Sequence, residues 1–169
     1  MVHKLLVYFL GFEKEAKKLN LDLNKGIFLT GPVGCGKTAL FTLMKQAARA
    51  GRYFFMKPCR DISFEFFNEG YDIVHRYGKM SYENGNPKAY CFDDLGAESS
   101  LRHFGDECCV MAEILLSRYD LFIHTGMITH VTTNFTSFEL EKLYGNRVRS
   151  RMREMFNLIS FKNGTADKR

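Results

Sequence analysis

The sequence is poor in proline, with three prolines in 169 residues, and it contains five cysteines. This proline content, with hydrophobic residues at 46% and charged residues at 25%, excludes collagen-like and disordered chains and favours one globular domain. The cysteines are odd in number and show neither a Cys-x-x-Cys pair nor a Cys/His cluster at zinc-ligand spacing. These features exclude a disulfide-stapled mini-protein and predict a protein of the reducing cytoplasm.

The sequence also lacks long hydrophobic runs. The apolar stretch at residues 5–12 is far shorter than the ~20 residues that a membrane span needs, so we expect no membrane partner. Unlike a signal peptide, it lacks a small-residue cleavage site and runs directly into Glu13. Its helical periodicity continues beyond it, through Leu5, Phe9, Phe12, Ala16 and Leu19. Residues 1–24 are therefore predicted to form an amphipathic helix and a lead-in to a domain at residues 25–169.

Positive charge is concentrated near the end of the chain. The whole sequence has 24 lysines and arginines against 19 acidic residues, a net charge of +5. Residues 142–169 contain eight of the basic residues and only two acidic ones, Glu154 and Asp167. The rest of the chain is therefore close to neutral, and we expect an anionic partner such as single- or double-stranded DNA to contact this last segment.

Short apolar runs alternate with helix-like segments along the chain. Strands are predicted at residues 27–29, 53–56, 89–92, 128–133 and 158–161. This alternation is typical of an α/β fold, a five-stranded, mostly parallel sheet with helices on both faces. The connections are short and no linker divides the chain, so the sequence leaves no room for a second domain.

Individual residues mark several helix ends. Asp61 and Asp106 are expected to cap helices, the second of them at residues 106–119. Thr136 and Glu139 form a capping-box pair before a short helix that ends at Gly145. The helix after Asp61 is expected to carry Phe64, Phe67, Tyr71 and Val74. The helix after Gly145 is expected to bury Val148, Met152, Met155, Phe156 and Ile159.

A phosphate-binding motif follows the first predicted strand. The pattern G-x-x-x-x-G-K-[ST] is matched by Gly31, Pro32, Val33, Gly34, Cys35, Gly36, Lys37 and Thr38. Glycines let backbone N–H groups surround phosphates at a helix N-terminus, while Lys37 reaches the β- and γ-phosphates and Thr38 binds Mg²⁺. An accidental glycine-rich turn is the alternative, but this match lies between a strand and a helix, as the mechanism requires. We therefore predict ATP and Mg²⁺ as cofactors, with Ala39 completing the loop site.

Polar residues follow two further strands. The third strand leads into Asp93 and Asp94, where Asp93 is expected to hold Mg²⁺ and Asp94 to orient or deprotonate the attacking water. The fourth strand ends at Asn134, whose amide can lie between the γ-phosphate and that water. Each group also fits an ordinary turn. Their position at the carboxyl ends of strands that follow a phosphate loop favours catalysis.

Four arginines alternate along the helix predicted after Gly145. Arg147 and Arg151 lie on one flank of its apolar stripe, and Arg149 and Arg153 lie on the other. A solvated charged helix accounts for at least two of them. The functional interpretation is that one flank faces the nucleotide of a neighbouring subunit while the other contacts nucleic acid or a partner protein.

Together these segments resemble a known family. The phosphate loop, the run Asp-Asp-Leu-Gly-Ala-Glu at residues 93–98, Ser-Arg-Tyr at 117–119, Thr-Thr-Asn at 132–134 and Arg-Val-Arg-Ser-Arg at 147–151 resemble the DnaC/IstB group of AAA+ ATPases. These are bacterial and phage helicase loaders and transposition helper proteins. The resemblance covers roughly residues 20–169. It implies a P-loop NTPase fold of the AAA+ type without a lid domain.

The resemblance also implies roles for single residues. Asp94 matches the catalytic acidic position, and Asn134 matches the position called sensor 1. Arg151 matches the arginine finger that one subunit supplies to its neighbour, with Arg147 as the alternative. Arg169 resembles the arginine that takes the sensor 2 role and contacts the nucleotide. Magnesium is assigned to Thr38 and Asp93.

The function implied is that of an ATPase that forms homo-oligomers and acts as an ATP-dependent assembly factor on DNA, in helicase loading or transposition. Its partner would be a replicative helicase or a transposase. About 25 residues precede the first predicted strand, fewer than the N-terminal region with which members grip that partner, so we expect a minimal or shortened member. Two alternatives remain: a small P-loop nucleotide kinase, and a nucleotide-binding scaffold with little turnover.

Overall fold

A computed structural model describes residues 1–98, 101–103 and 106–161. Its strands are β1 (Gly26–Thr30), β2 (Phe55–Pro58), β3 (Tyr82–Glu83), β4 (Asn86–Pro87), β5 (Tyr90–Leu95), β6 (Leu101–His103), β7 (Asp106–Cys108), β8 (Thr129–Thr133) and β9 (Phe156–Ser160). Five of them form one sheet in the order β2-β5-β8-β1-β9, and every neighbouring pair is parallel. The predicted α/β class and five-stranded parallel sheet are confirmed.

Helices connect and cover these strands. They are α1 (Val2–Leu10), α2 (Glu13–Lys18), α3 (Lys37–Ala47), α4 (Cys59–Glu69), α5 (Asp72–Tyr77), α6 (Val110–Thr125) and α7 (Ser137–Met155). The short pairs β3–β4 and β6–β7 are antiparallel hairpins outside the main sheet. No helix in the described part of the chain is long and apolar enough to cross a membrane.

Both faces of the sheet are buried, because successive side chains of a strand point in opposite directions. On one face, Ile27 and Leu29 of β1 pack with residues of α1 and α3, including Phe9 and Phe41. On the other face, Phe28 lies in the cluster formed with α4, α5, α6 and α7. Because neighbouring strands of this sheet are all parallel, their carboxyl ends meet at one edge.

The N-terminal segment differs from its prediction. Instead of one amphipathic helix, the structure has α1 and α2, separated by Gly11 in the left-handed conformation at φ 72°. Glycine adopts this conformation without a steric penalty, and it ends α1. Phe9 and Ala16 are buried as expected, but the turn leaves Phe12 54% exposed. Helix α1 packs against α3, while the boundary at residue 24 stays a prediction.

Three expected helix boundaries also move. Gly70 separates α4 from α5. The aromatic residues predicted for the helix after Asp61 are exposed, namely Phe64, Phe67 and Tyr71. The buried side of these two helices is formed instead by Ile62, Phe66 and Ile73. Asp106 does not cap α6, because its backbone pairs with β6. Phe156 and Ile159 belong to β9 rather than to the last helix.

The start and the middle of α7 follow their prediction more closely. Thr136 and Glu139 form the capping box. The expected break at Gly145 is present within α7, where φ is 82° and ψ is 165°. Residues 146–155, which follow this break, are called the arginine segment below.

Candidate active site

The loop after β1 turns back on itself before α3 begins at Lys37, and its glycines serve different purposes. Gly34 and Gly36 have φ values of 77° and 93°, the left-handed region that favours glycine. A Cβ at Gly36 would meet no atom within 4 Å, so the backbone conformation is what selects glycine there. At Gly31 the reason is space, since a Cβ would lie 2.8 Å from the Cβ of Phe161.

The charge of Lys37 is held inside this loop. Its Nζ donates hydrogen bonds to the carbonyl oxygens of Gly31 and Pro32, each at 2.9 Å, and to Oδ1 of Asn134. The side chain is 5% exposed. The thiol of Cys35 is also buried, 3.8 Å from the same Nζ. Gly31, Pro32 and Cys35 therefore hold the lysine in position.

A cavity of about 300 Å³ opens above the loop. It is lined by Val33, Gly34, Gly36, Lys37, Thr38, Ala39, Asp94 and Asn134. The structure thus brings together residues from the loop, from β5 and from the end of β8. The resulting cavity combines a lysine ammonium group, the N-terminal end of α3, a carboxylate and an amide, which suits a phosphate chain and a water molecule.

Thr38 and Asp93 form an oxygen-rich pair beside this cavity. The Thr38 hydroxyl donates to Asp93 Oδ2 at 2.9 Å, and the Thr132 hydroxyl donates to Asp93 Oδ1 at 2.5 Å. Asp93 is buried, and burial raises the pKa of its carboxyl although both hydroxyl hydrogen bonds oppose that shift. Mg²⁺ prefers oxygen ligands and a carboxylate, so the donor set of Thr38 and Asp93 fits this ion.

Asp94 has a strained backbone. Its φ is 56°, and the pairing of β5 with β8 shifts register between Phe92 and Leu95, which makes room for the turn. The Asp94 N–H donates to Thr132 Oγ1 at 3.0 Å, and Asn134 Nδ2 donates to Asp94 Oδ1 at 3.2 Å. Positive φ at a non-glycine residue clusters at active sites because the surroundings must enforce it. Here that conformation carries the carboxylate toward the cavity.

Sequence reasoning missed the role of Thr132. This fully buried residue contacts both aspartates at once, through Asp93 Oδ1 and the Asp94 N–H. The neighbouring Thr133 hydroxyl donates to the Leu95 carbonyl at 2.6 Å. Buried polar side chains need partners, so two threonines directly before Asn134 were a usable signal.

The arginine segment lies apart from this cavity. Arg147 and Arg153 are exposed. The Arg151 guanidinium lies 4.8 Å from the centre of the Tyr119 ring, and Arg149 pairs with Glu141. Neither Arg147 nor Arg151 is among the described residues that line the cavity. Arg169 lies outside the described residues.

No protein-family model matches this sequence, and no curated protein matches it. Solved structures do match. A DnaC helicase loader is 21% identical with a TM-score of 0.58, covering 82% of this chain and 79% of that one. A putative primosome component from Streptococcus pyogenes serotype M3 is 20% identical with a TM-score of 0.63, covering 97% and 80%.

The fold is that of the DnaC-like AAA+ proteins. DnaI is 21% identical, with a TM-score of 0.56 and coverage of 82% of this chain and 73% of that one. A more distant match is AMPPCP-bound DnaA from Aquifex aeolicus, which is 18% identical with a TM-score of 0.57, covering 88% and 43%. The predicted resemblance to the DnaC group is thereby confirmed at the level of fold.

Proposed function

We propose that this protein binds and hydrolyses ATP and acts in DNA replication as an ATP-dependent assembly factor. One observation carries the proposal: Lys37, Asn134 and Asp94 line a single cavity and are joined by hydrogen bonds. A phosphate-binding lysine, a polar amide and a carboxylate in this order match the requirements of phosphoryl transfer to water.

Binding rearranges the hydrogen bonds of the loop. Lys37 exchanges its bonds to the Gly31 and Pro32 carbonyls for bonds to phosphate oxygens, while the N–H groups at the start of α3 face the same anion. Thr38 and Asp93 hold Mg²⁺, which neutralises charge on the phosphates when it is bound. Thr132 keeps the Asp93 carboxylate directed at Thr38.

Hydrolysis depends on the neighbouring pair of side chains. Asp94 accepts the proton of the attacking water, and Asn134 orients that water through its amide. The hydrogen bond from Asn134 Nδ2 to Asp94 Oδ1 fixes the distance between these two groups. A carboxylate and an amide held together favour water as the acceptor over a small-molecule hydroxyl.

A second copy of the chain supplies the arginine that stabilises the transition state. The transition state spreads negative charge over the γ-phosphate oxygens, and an arginine stabilises that charge. Arg151 lies on the arginine segment rather than among the residues that line its own cavity. We therefore assign it to the site of a neighbouring subunit, with Arg147 as the alternative.

Replication is the proposed setting, and a replicative helicase is preferred over a transposase as the partner. The similar structures include a helicase loader and a putative primosome component. The flank of the arginine segment opposite Arg151 supplies an exposed cation, Arg153, for contact with DNA phosphates. Such binding should be tolerant of DNA sequence and should weaken steeply as salt is added.

Three measurements test this proposal: calorimetric titration with ATP and Mg²⁺, a phosphate-release assay with and without a nucleoside monophosphate, and mass photometry with and without DNA. We expect saturable ATP binding, phosphate release, and oligomers that need both nucleotide and DNA. Binding without phosphate release would favour the scaffold alternative. Phosphate transfer to a nucleoside monophosphate would favour the kinase. No ATP binding would contradict all three.

A further inference from the structure

Glu98 connects two parts of the molecule that the proposed mechanism treats separately. One carboxylate oxygen, Oε2, accepts a hydrogen bond from the Gly96 N–H at 2.8 Å. The other, Oε1, accepts one from the Tyr144 hydroxyl. The first contact holds the loop that follows Asp94, and the second reaches α7. A single side chain therefore joins the catalytic loop to the helix that carries the arginines.

The loop end of this connection packs closely against the residues that follow β8. Gly96 has a φ of 95°, and a Cβ there would lie 2.6 Å from the Phe135 ring, which follows Asn134 directly. The Leu95 carbonyl accepts from the Thr133 hydroxyl at 2.6 Å. The loop after Asp94 is thus packed against the end of β8, where Asn134 lines the cavity.

The helix end of the connection lies at the break in α7. Tyr144 is buried, and it directly precedes Gly145, where the backbone leaves the helical conformation. Leu140 packs the part of α7 before the break into the core, and Val148 and Met152 pack the part after it. Each part therefore keeps its own packing if the Tyr144 hydroxyl is lost. The hydroxyl adds a hydrogen bond that fixes the position of the break at Gly145 relative to the loop that follows Asp94.

We propose that Glu98 is a positioning residue, which through Tyr144 sets the direction of the arginine segment according to the state of the nucleotide cavity. This inference rests on the proposed function, because the arginines must act on ATP for their direction to matter. If the Tyr144 hydroxyl is removed, Oε1 of the partly buried Glu98 carboxylate loses its donor and only the Gly96 N–H remains. An unpaired oxygen of this kind costs free energy, so the hydrogen bond to Tyr144 is costly to break.

Tyr144→Phe tests the connection, because it keeps the ring and removes only the hydroxyl. Glu98→Gln tests it from the other side, since the amide presents an acceptor to only one of the two donors. Tyr77→Phe is the matched control: it removes a hydroxyl that donates to another carboxylate, Glu65, at 2.8 Å from the side of α5.

Two measurements are made on each full-length variant. Steady-state kinetics separate kcat from KM for ATP, and hydrogen exchange follows residues 146–155 with and without ATP and Mg²⁺. In the parent and in Tyr77→Phe we expect ATP to change the exchange of this segment. In Tyr144→Phe and Glu98→Gln we expect that response to be lost and kcat to fall by up to about 100-fold, with KM within about twofold of the parent.

Parental kcat with a parental exchange response in both variants would overturn the inference. A raised KM with unchanged kcat would also overturn it, since the contact would then act on binding. Calorimetry on the parent separates this result from a failure of the proposed function. If the parent binds no ATP, both fall together. If it binds ATP but does not hydrolyse it, the exchange response still decides for or against Glu98.

Discussion

The nucleotide cavity and the arginine segment handle charge in opposite ways. In the cavity, Lys37 bonds to two carbonyls and to Asn134, and Asp93 accepts from two threonine hydroxyls. In the arginine segment, Arg147 is exposed and Arg151 rests on the ring of Tyr119. Buried charges must be paired inside the chain, whereas exposed ones remain available to another molecule. The chain therefore pairs the charges of the cavity internally and presents Arg147 and Arg153 outward.

Lys37→Ala removes the centre of the first region and has the largest expected effect. It deletes the only full positive charge of the loop and leaves Asn134 Oδ1 without this donor. We expect ATP binding to be lost in a calorimetric titration. Lys45→Ala, on the same helix α3, is the matched control and should bind like the parent. Unchanged ATP affinity in Lys37→Ala would remove the basis of the site assignment.

Arg151→Ala breaks the second region without touching the first. ATP affinity should stay at the parental value, while hydrolysis by assembled protein should fall by ~10³-fold or more, as for arginine fingers. Arg60→Ala, which removes an exposed arginine on α4 outside both regions, serves as the control. Parental turnover in Arg151→Ala at saturating ATP and DNA would refute its role. If only Arg147→Ala is inactive, the finger lies one helical turn earlier.

Asp94→Asn separates binding from chemistry within the cavity. The amide is nearly isosteric with the carboxylate but cannot accept a proton, so turnover should fall by about 10²-fold or more with ATP binding retained. Asp93→Asn should instead weaken the dependence of ATP binding on Mg²⁺. Both variants are compared with the parent in phosphate-release assays at a series of Mg²⁺ concentrations. If both release phosphate at the parental rate, neither aspartate has its assigned role.

Lowering the pH tests the core on the face of the sheet that α1 and α3 cover. His130 lies four residues before Asn134, its Nδ1 accepts from the Ile27 N–H at 3.0 Å, and its ring contacts those of Phe9 and Phe54. Burial, with smaller contributions from Arg118 and Arg52, lowers its pKa to about 3. The unfolded chain binds this proton near pH 6.5, so stability is present above that pH and is lost as the pH falls.

Between pH 7 and pH 5 this histidine should reduce the free energy of unfolding by about 2 kcal/mol. Urea unfolding at both pH values measures the loss. His130→Gln keeps an acceptor for the Ile27 N–H and should show a correspondingly smaller pH dependence, whatever its absolute stability. An equal pH dependence in parent and variant would mean that this imidazole does not control the acid response.

The sequence predicts the cavity better than it predicts the connections around it. Asp93, Asp94 and Asn134 were placed together because parallel strands end at one edge of a sheet, and the structure brings them there. The β-bulge at Asp94 and the bridging position of Thr132 depend on strand register, which the sequence does not display. The same is true of the contact between Glu98 and Tyr144.

Helix ends show the same limit. The break at Gly145 was predicted because a capping box and a new apolar stripe enclose it. At Gly11 the helical spacing of apolar residues continues across the glycine, so periodicity alone predicts one helix. In the structure the left-handed conformation of Gly11 separates two helices. Glycine inside an apolar pattern is tolerated by either structure, and only the packing of Phe9 and Ala16 decides between them.

The central claim is that one chain binds ATP but needs a second chain to hydrolyse it. The rate of phosphate release per chain, measured over a wide range of protein concentration at saturating ATP, Mg²⁺ and DNA, tests this most directly. We predict that the rate per chain rises with concentration and then levels off as oligomers fill, while ATP affinity stays constant. A rate per chain that is already maximal in the monomer and independent of concentration would contradict the account.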